Sequence, residues 1–224
     1  MSVAESWDSV DEYLAGRVVP ADEALVRALR TSAEAGLPEI QVSATQGRFL
    51  TLLARMIGAR RVLEIGTLGG YSGICFCRGL GAGGRLVTLE VDPVHAEVAR
   101  ANLDRAGCSE MAEVRLGDAS ETLAEMAERD EEVFDLVFID ADKQRMAEYF
   151  HASLELSRPG TVIVADNVVR GGAVVDPDRD DPAVQGVRRF FDAVNAEPRA
   201  EATALQTVGS KGYDGFALIV VRER

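Results

Sequence analysis

The sequence predicts an α/β protein built on a doubly wound, mostly parallel sheet, and three observations indicate this class. Short apolar runs alternate with longer amphipathic stretches along most of the 224 residues, which is typical of a parallel sheet covered by helices on both faces. A glycine-rich turn follows the first of these runs. An acidic residue ends or follows each of the first five runs, so one edge of the sheet is expected to be acidic.

The first 58 residues are predicted to form helices that precede a sheet-containing core over residues 59–224. Candidate helices span residues 8–14, 21–34 and 43–57. The third begins with Ser43-Ala44-Thr45-Gln46, a capping-box pattern in which Ser43 and Gln46 would satisfy each other's backbone N–H groups.

Seven runs have the length and apolar content of buried strands. They are residues 61–65, 85–91, 112–116, 135–140, 161–166, 204–208 and 215–221. The last two are close enough in sequence to form a closing hairpin. Asp92-Pro93 supplies a typical helix start after the second run. Another helix is predicted over residues 182–195, after a long loop rich in Gly, Pro and Asp.

Composition excludes several classes of partner and location. The net charge of −13 and the lack of a basic stripe argue against nucleic acid. No apolar run is long enough to span a membrane, and the acidic start MSVAESWDSVDEY does not resemble a signal peptide, so a cytoplasmic protein is predicted. Cys75, Cys77 and Cys108 are expected to be buried thiols in a reducing compartment.

The glycine-rich turn and its flanking acids indicate a cofactor. Gly66, Gly69 and Gly70 do not match the dinucleotide spacing G-x-G-x-x-G, and such a turn can also serve packing alone. Glu90 ends the second strand, where a carboxylate can accept the ribose hydroxyls of NAD or S-adenosylmethionine. Glu64 would repel a pyrophosphate but suits an ammonium and a sulfonium. The charge pattern therefore favours S-adenosylmethionine.

A second group of side chains indicates a metal ion. Asp140, Asp166 and Asn167 end neighbouring predicted strands, so they are expected to converge. Two carboxylates and an amide oxygen suit Mg²⁺ better than zinc. The alternative is that Asp140 caps the following helix and that Asp166-Asn167 is an ordinary turn. Lys143 is either a general base, favoured as a neutral amine by a nearby cation, or a surface lysine paired with Asp142.

Several segments resemble the cation-dependent class I O-methyltransferases, the group that contains catechol O-methyltransferase and the caffeoyl-CoA O-methyltransferases. They are VLEIGTLGGYS, RLVTLEVDP, FDLVFIDADK, GTVIVADNVV and, at the carboxyl end, DGFALIVV. Their order and spacing match from about Val26 onward. The resemblance implies a single S-adenosylmethionine-dependent methyltransferase domain over residues 1–224. It also implies a Rossmann-like, doubly wound, seven-stranded sheet whose last strand is antiparallel.

The resemblance also implies roles for individual residues. Lys143 would be the catalytic base, and Asp140, Asp166 and Asn167 would bind Mg²⁺ or another divalent cation. The cofactor S-adenosyl-L-methionine would contact Val42, Glu64, Gly66, Thr67, Gly70, Ser72, Glu90, Asp118, Ala119 and Asp140. The implied reaction is methylation of one hydroxyl of a small aromatic vicinal diol. Members of this family commonly pair, so a homodimer is expected, with no nucleic-acid or membrane partner.

Substrate choice is less constrained, and two other functions are considered. The family places substrate contacts in the loop after Asn167 and in the amino-terminal helices. The acidic residues of that loop mildly disfavour a phosphate-rich coenzyme A thioester, although Arg170 and Arg179 weaken the argument; they are Asp176, Asp178, Asp180 and Asp181. Mammalian catechol enzymes carry bulky residues where this chain has Ala141-Asp142, so the shape of the substrate pocket is expected to differ.

Two other functions would leave part of the pattern without a role. An NAD-dependent oxidoreductase would leave Glu64 and the predicted metal ligands unexplained. A non-catalytic S-adenosylmethionine-binding protein would make that set vestigial.

Overall fold

A computed structural model describes residues 3–129 and 132–223. Seven strands form one sheet in the order β3-β2-β1-β4-β5-β7-β6. They are β1 Arg61–Ile65, β2 Arg85–Glu90, β3 Ala112–Leu116, β4 Phe134–Ile139, β5 Ser157–Asp166, β6 Ala200–Gly209 and β7 Gly212–Val221. The first five strands pair in parallel, whereas β7 runs antiparallel to both β5 and β6. The predicted seven-stranded sheet with an antiparallel last strand is confirmed.

Helices precede the sheet and separate most of its strands. They are α1 Val3–Val18, α2 Glu23–Glu34, α3 Ala44–Met56, α4 Tyr71–Gly79, α5 Pro93–Arg105, α6 Ala119–Glu128, α7 Met146–Glu155 and α8 Pro182–Ala196. Two 3₁₀ turns, Lys143–Arg145 and Arg170–Val175, lie just before α7 and in the loop before α8. The predicted helical lead and the helix start at Asp92-Pro93 are confirmed, since Asp92 caps α5.

The bounds of some elements differ from the sequence prediction. The helix expected over residues 8–14 is longer, and the strand expected over 204–208 extends over Ala200–Gly209. This strand, β6, is exposed along nearly its whole length at the edge of the sheet. Its outer face therefore carries little of the apolar alternation by which a strand is recognised in sequence. The strand expected over 135–140 is Phe134–Ile139, so Asp140 lies just beyond it.

Two apolar layers cover the sheet. Alternate residues of β4 point to opposite faces, so Val137 and Ile139 belong to one buried cluster and Leu136 and Phe138 to the other. Phe150 of α7 and Phe190 of α8 meet edge to face in the first cluster. These two packed layers hold the central strands rigidly, and with them the residues that follow their carboxyl ends.

Two further expectations concern the cysteines and a membrane. Cys75, Cys77 and Cys108 are free and buried, as expected. Within residues 3–129 and 132–223, no helix combines the length and apolarity needed to cross a membrane.

Candidate active site

The tips of β1 and β4 are held in close contact, and this contact places Asp140. Asp140 N donates to Ile65 O at 2.9 Å, while Gly66 N donates to Leu89 O at 3.0 Å. Gly66 has a φ of +103°, and a Cβ atom there would overlap the carbonyl group of Asp140. Glycine is therefore required at this position both for its backbone angle and for its small volume.

Lys143 lies next to Asp140 and is largely buried. Its Nζ is 2.8 Å from Asp140 Oδ1, and its side chain is 11% exposed. The expected alternative, a surface pair with Asp142, is wrong. Asp142 instead caps the 3₁₀ turn, where its Oδ1 accepts from Gln144 N at 3.0 Å. The capping role considered for Asp140 is thus taken by Asp142, which leaves Asp140 for the lysine.

Asp166 is nearly inaccessible, with 5% exposure. Its Oδ1 accepts from Asn167 N at 2.8 Å, and its Oδ2 accepts from Gln46 Nε2 at 2.6 Å. Burial, and then the charge of Asp140, raise the pKa of Asp166 above its usual range. Asp140 and Asp166 follow residues that are paired in the β4–β5 register, Ile139 and Ala165, so the two carboxylates lie side by side.

The turn after Asp166 is fixed by β7. Asn167 has a left-handed φ of +60°, a conformation that asparagine tolerates better than most residues. Val168 N donates to Gly215 O at 3.0 Å. The carboxylate of Asp214 accepts from Val169 N at 2.9 Å and from Arg170 N at 3.0 Å. The predicted metal ligands Asp166 and Asn167 therefore do form a turn, and it is a rigid one.

These side chains form a small set of hard oxygen donors. In the parts of the chain that the structure describes, no group of three or more His, Cys, Asp or Glu side chains could hold a metal ion. The predicted set has two carboxylates, Asp140 and Asp166, and one amide, Asn167. Burial and the neighbouring charge of Asp140 disfavour the ionised form of Asp166, so a cation would stabilise this pair of carboxylates. The donor chemistry thus fits Mg²⁺ with open coordination positions.

Glu64 is the most buried carboxylate at this edge, with 0% exposure. Its Oε2 accepts from Thr88 Oγ1 at 2.6 Å, while its Oε1 has no hydrogen-bond partner among the described residues. Burial raises the pKa of Glu64 to about 7, although the hydroxyls of Ser72 and Thr88 lower it. Thr67 continues this buried chain, since its hydroxyl lies 2.5 Å from that of Thr88. Its side chain is therefore already engaged inside the protein.

Glu90 supports the glycine-rich turn from the tip of β2. Its Oε2 accepts from Leu68 N at 2.8 Å, and its Oε1 accepts from Val91 N and Asp92 N at 2.9 Å each. The turn then reaches Gly70, which has a φ of +82° and begins α4 in close contact with α5. Oε2, which accepts only from Leu68 N, keeps a lone pair that can accept from a ligand.

Asp118 and Ala119 begin α6 at the same edge. The carboxylate of Asp118 accepts from Ser120 N at 2.9 Å and from Glu121 N at 3.2 Å. It also pairs with Arg145, whose Nη1 lies 2.6 Å from Asp118 Oδ2. Arg145 is the main cause that lowers the pKa of Asp118. Sequence reasoning missed this partner, because no local pattern connects residues on different elements.

The turn that carries Lys143 is supported by α8. A Cβ on Gly186 would overlap the carbonyl oxygen of Lys143, so this helix approaches the backbone of the turn as closely as possible. Arg189 Nη2 donates to Gln144 O at 3.1 Å. Arg188 donates to the carbonyl oxygens of the loop before α8, including Val174 O at 3.1 Å. The loop and the Lys143 turn are thus held by one helix.

The remaining predicted cofactor residues lie close to this edge. Val42 is buried, with 6% exposure, immediately before α3. Ser72 is half-buried in the first turn of α4, near Glu64. Gln46 is the residue of this region that the sequence did not predict as part of the site. The expected capping box forms only from Gln46 N to Ser43 Oγ, at 3.2 Å, because the side chain of Gln46 reaches Asp166 instead.

Known proteins that resemble this chain are O-methyltransferases. The family model described as O-methyltransferase matches residues 18–220. A catechol O-methyltransferase from Niastella koreensis is 50% identical over 216 residues, which cover 96% of this chain and 98% of that protein. A solved structure, that of the O-methyltransferase from Bacillus cereus in complex with S-adenosylhomocysteine (SAH), has a sequence 53% identical to this chain. The two structures superpose with a TM-score of 0.97, and the match covers 98% of this chain and 100% of that one.

A third relative is also an O-methyltransferase of known structure. The O-methyltransferase TomG from Streptomyces achromogenes, which is involved in tomaymycin synthesis, was solved in complex with SAM. It is 48% identical and has a TM-score of 0.95, with both chains covered completely. The family match spans most of the chain, and the solved relatives bind the methyl donor or its product. This chain therefore belongs to the S-adenosylmethionine-dependent O-methyltransferase family.

Proposed function

We propose that this enzyme methylates one hydroxyl of a catechol-type small aromatic molecule, and that it uses Mg²⁺ or another divalent cation. The main support is the side-by-side placement of Asp140 and Asp166, with Asn167 adjacent and Lys143 2.8 Å from Asp140. The relative from Niastella koreensis is named a catechol O-methyltransferase, which supports the substrate class.

Lys143 is proposed to accept the proton of the attacked hydroxyl. Its Nζ is oriented by Asp140, and its backbone is fixed by Gly186 and Arg189 of α8. Such positioning is a large part of the work in a reaction that brings two molecules together. Mg²⁺, when bound, would hold two neighbouring oxygens of the diol and lower the pKa of the attacked hydroxyl.

The acidic edge is proposed to bind the methyl donor. The unpaired Oε1 of Glu64 suits the ammonium group of S-adenosylmethionine, and Glu90 suits the ribose hydroxyls. Thr67 contributes through its main chain, since its hydroxyl is engaged with Thr88. Val42 adds an apolar contact, and Asp118 and Ala119 add the start of α6.

The homodimer and the cytoplasmic location stay predictions. Analytical ultracentrifugation tests the homodimer.

The function is tested by methyl transfer from S-adenosylmethionine to caffeic acid, first with Mg²⁺ and then with excess EDTA. The matched control substrate is p-coumaric acid, which has a single ring hydroxyl. We expect product from caffeic acid with Mg²⁺, and none with EDTA or from the control, because chelation needs two neighbouring oxygens. Undiminished turnover in EDTA would contradict the metal. If no diol reacts, calorimetry with SAH and NADH separates a wrong substrate panel from a wrong function.

The role of Lys143 is tested by Lys143→Ala and Lys143→Arg. Arginine keeps the positive charge but does not release its proton at assay pH. We expect both variants to lower kcat by about 10²–10⁴, the range typical of a general base, with unchanged SAH affinity. Lys211, the other lysine of the chain, provides the control Lys211→Ala with wild-type kcat. Wild-type turnover of the Lys143→Arg variant would show that this residue does not accept the proton.

The role of Glu64 is tested by the pH dependence of SAH binding. Burial raises the pKa of Glu64 to about 7, so the carboxylate takes up a proton as the pH falls through 7. A protonated Glu64 cannot pair with the ammonium of the ligand. We therefore expect the Kd at pH 6 to be about tenfold weaker than at pH 8, from the linkage of one proton. Calorimetry on Glu64→Gln should give weak, pH-independent binding, whereas the exposed control Glu128→Gln should follow the wild type. A flat wild-type profile would contradict this role.

A further inference from the structure

We infer that Gln46 is a positioning residue for Asp166, so that a helix preceding the sheet completes the proposed cation site. This inference rests on the proposed function, because it gives Gln46 a purpose only if Asp166 binds a cation. It concerns a residue that is neither a predicted ligand nor a predicted cofactor contact. The two partners lie 120 positions apart in the chain.

The geometry at Asp166 fixes the carboxylate from both sides. Gln46 Nε2 donates to Oδ2 at 2.6 Å, and Asn167 N donates to Oδ1 at 2.8 Å. Rotation of the carboxylate about its bond to the β-carbon would break one or both of these hydrogen bonds. Since Asp166 is only 5% exposed, water has little access to replace them. Each oxygen still keeps a lone pair that can face a cation.

Gln46 is itself held by close packing. The next residue is Gly47, where a Cβ would lie 2.8 Å from Cys75 Sγ and 3.1 Å from Tyr71 Cε1 on α4. The helix α3 therefore cannot move toward or rotate against α4 at this point without a clash. A further hydrogen bond, from Thr51 Oγ1 to Cys75 O at 2.8 Å, joins the same two helices.

A second contact fixes the same face of α3 to the strand beside Asp166. Phe49 is three residues after Gln46, so both side chains lie on one face of the helix. The Phe49 ring lies 5.1 Å from that of Phe216, between centroids. Phe216 on β7 is the residue paired with Asp166 on β5. Gln46 and Phe49 thus contact neighbouring residues of the sheet, and the donor is presented from a rigid element.

The hydrogen-bond donor to Asp166 is a neutral amide, which can orient the carboxylate but cannot compensate its charge. An Arg or Lys at this place would neutralise Asp166 and compete with a cation. The neutral amide of Gln46 orients the carboxylate and leaves its charge available. Hydrogen bonds of this kind around metal ligands typically change metal affinity by about 10–100-fold when they are removed.

The test compares Gln46→Met with the wild-type enzyme by titrating Mn²⁺ alone into the protein with SAH present. Methionine has nearly the same length and favours a helix, but it cannot donate a hydrogen bond. We expect Mn²⁺ affinity to fall by about 10–100-fold, while SAH affinity measured without metal stays unchanged. At a fixed low metal concentration the turnover rate of the variant should fall below that of the wild type, and added metal should restore it. A purely structural role would not give this recovery.

Two further variants complete the design. Gln46→Asn keeps the amide but shortens the side chain, so it should weaken Mn²⁺ binding in the same direction and covers the case in which the methionine variant misfolds. The control Gln206→Met, on the exposed face of β6, should bind Mn²⁺ as the wild type does. Wild-type Mn²⁺ affinity in folded Gln46→Met and Gln46→Asn would overturn the inference. Absence of Mn²⁺ binding by the wild type would overturn the proposed cation site itself, and with it this role of Gln46.

Discussion

The carboxyl edge of this sheet carries several buried or half-buried carboxylates, and the contacts that hold them in place set much of the surrounding structure. Burying a charge is costly unless it is hydrogen-bonded or paired. Glu90 accepts from three backbone N–H groups, and Asp140 is paired with Lys143. Glu64 and Asp166 receive only neutral donors, and burial raises the pKa of both. The two least compensated carboxylates are therefore Glu64, which is proposed to bind the cationic methyl donor, and Asp166, which is proposed to bind a metal ion together with Asp140.

Close backbone contacts explain how these groups are placed without freedom to relax apart. Gly66 allows the tip of β1 to touch the carbonyl group of Asp140, and Gly186 allows α8 to touch that of Lys143. Asp214 fastens the turn after Asn167 through two backbone N–H groups. Charged groups that would otherwise move away from one another are therefore held by parts of the backbone that cannot shift independently.

The helices before the sheet are part of this arrangement as well. The α3 helix packs on α4 through Gly47 and reaches the end of β5 through Gln46. The residue that orients Asp166 thus comes from a region that family resemblance associates with substrate. Changes in the amino-terminal helices could therefore alter the proposed cation site through Gln46, without any contact between those changes and the cation.

Most of the strands along the chain and their acidic ends could be predicted from the sequence, because both follow from apolar periodicity and from the rule that parallel strands end at one edge. The tips at Glu64, Asp140 and Asp166 were found in this way. The partner of each carboxylate could not be predicted. Gln46 showed only a capping pattern, and nothing local indicates that its side chain would turn toward a residue 120 positions away.

Smaller differences have similar causes. Asp142, rather than Asp140, caps the turn at Lys143, and β4 ends at Ile139, one residue before the predicted end of the strand. The length of β6 was underestimated because an exposed edge strand does not need alternating apolar residues. The resemblance to a known family implies the roles of these residues, whereas the hydrogen bonds that fix their side chains are visible only in the three-dimensional structure.

The most direct measurement is the free energy of unfolding by urea at pH 8, with Mg²⁺ and with EDTA at matched ionic strength. If the paired carboxylates bind a cation, Mg²⁺ should raise the stability of the wild type by about 2.7 kcal/mol when its concentration is 100 times the Kd. Asp166→Asn should lose this gain. Equal stability of the wild type in Mg²⁺ and EDTA, or the same gain in the variant, would contradict the assignment of Asp140 and Asp166 to a metal ion.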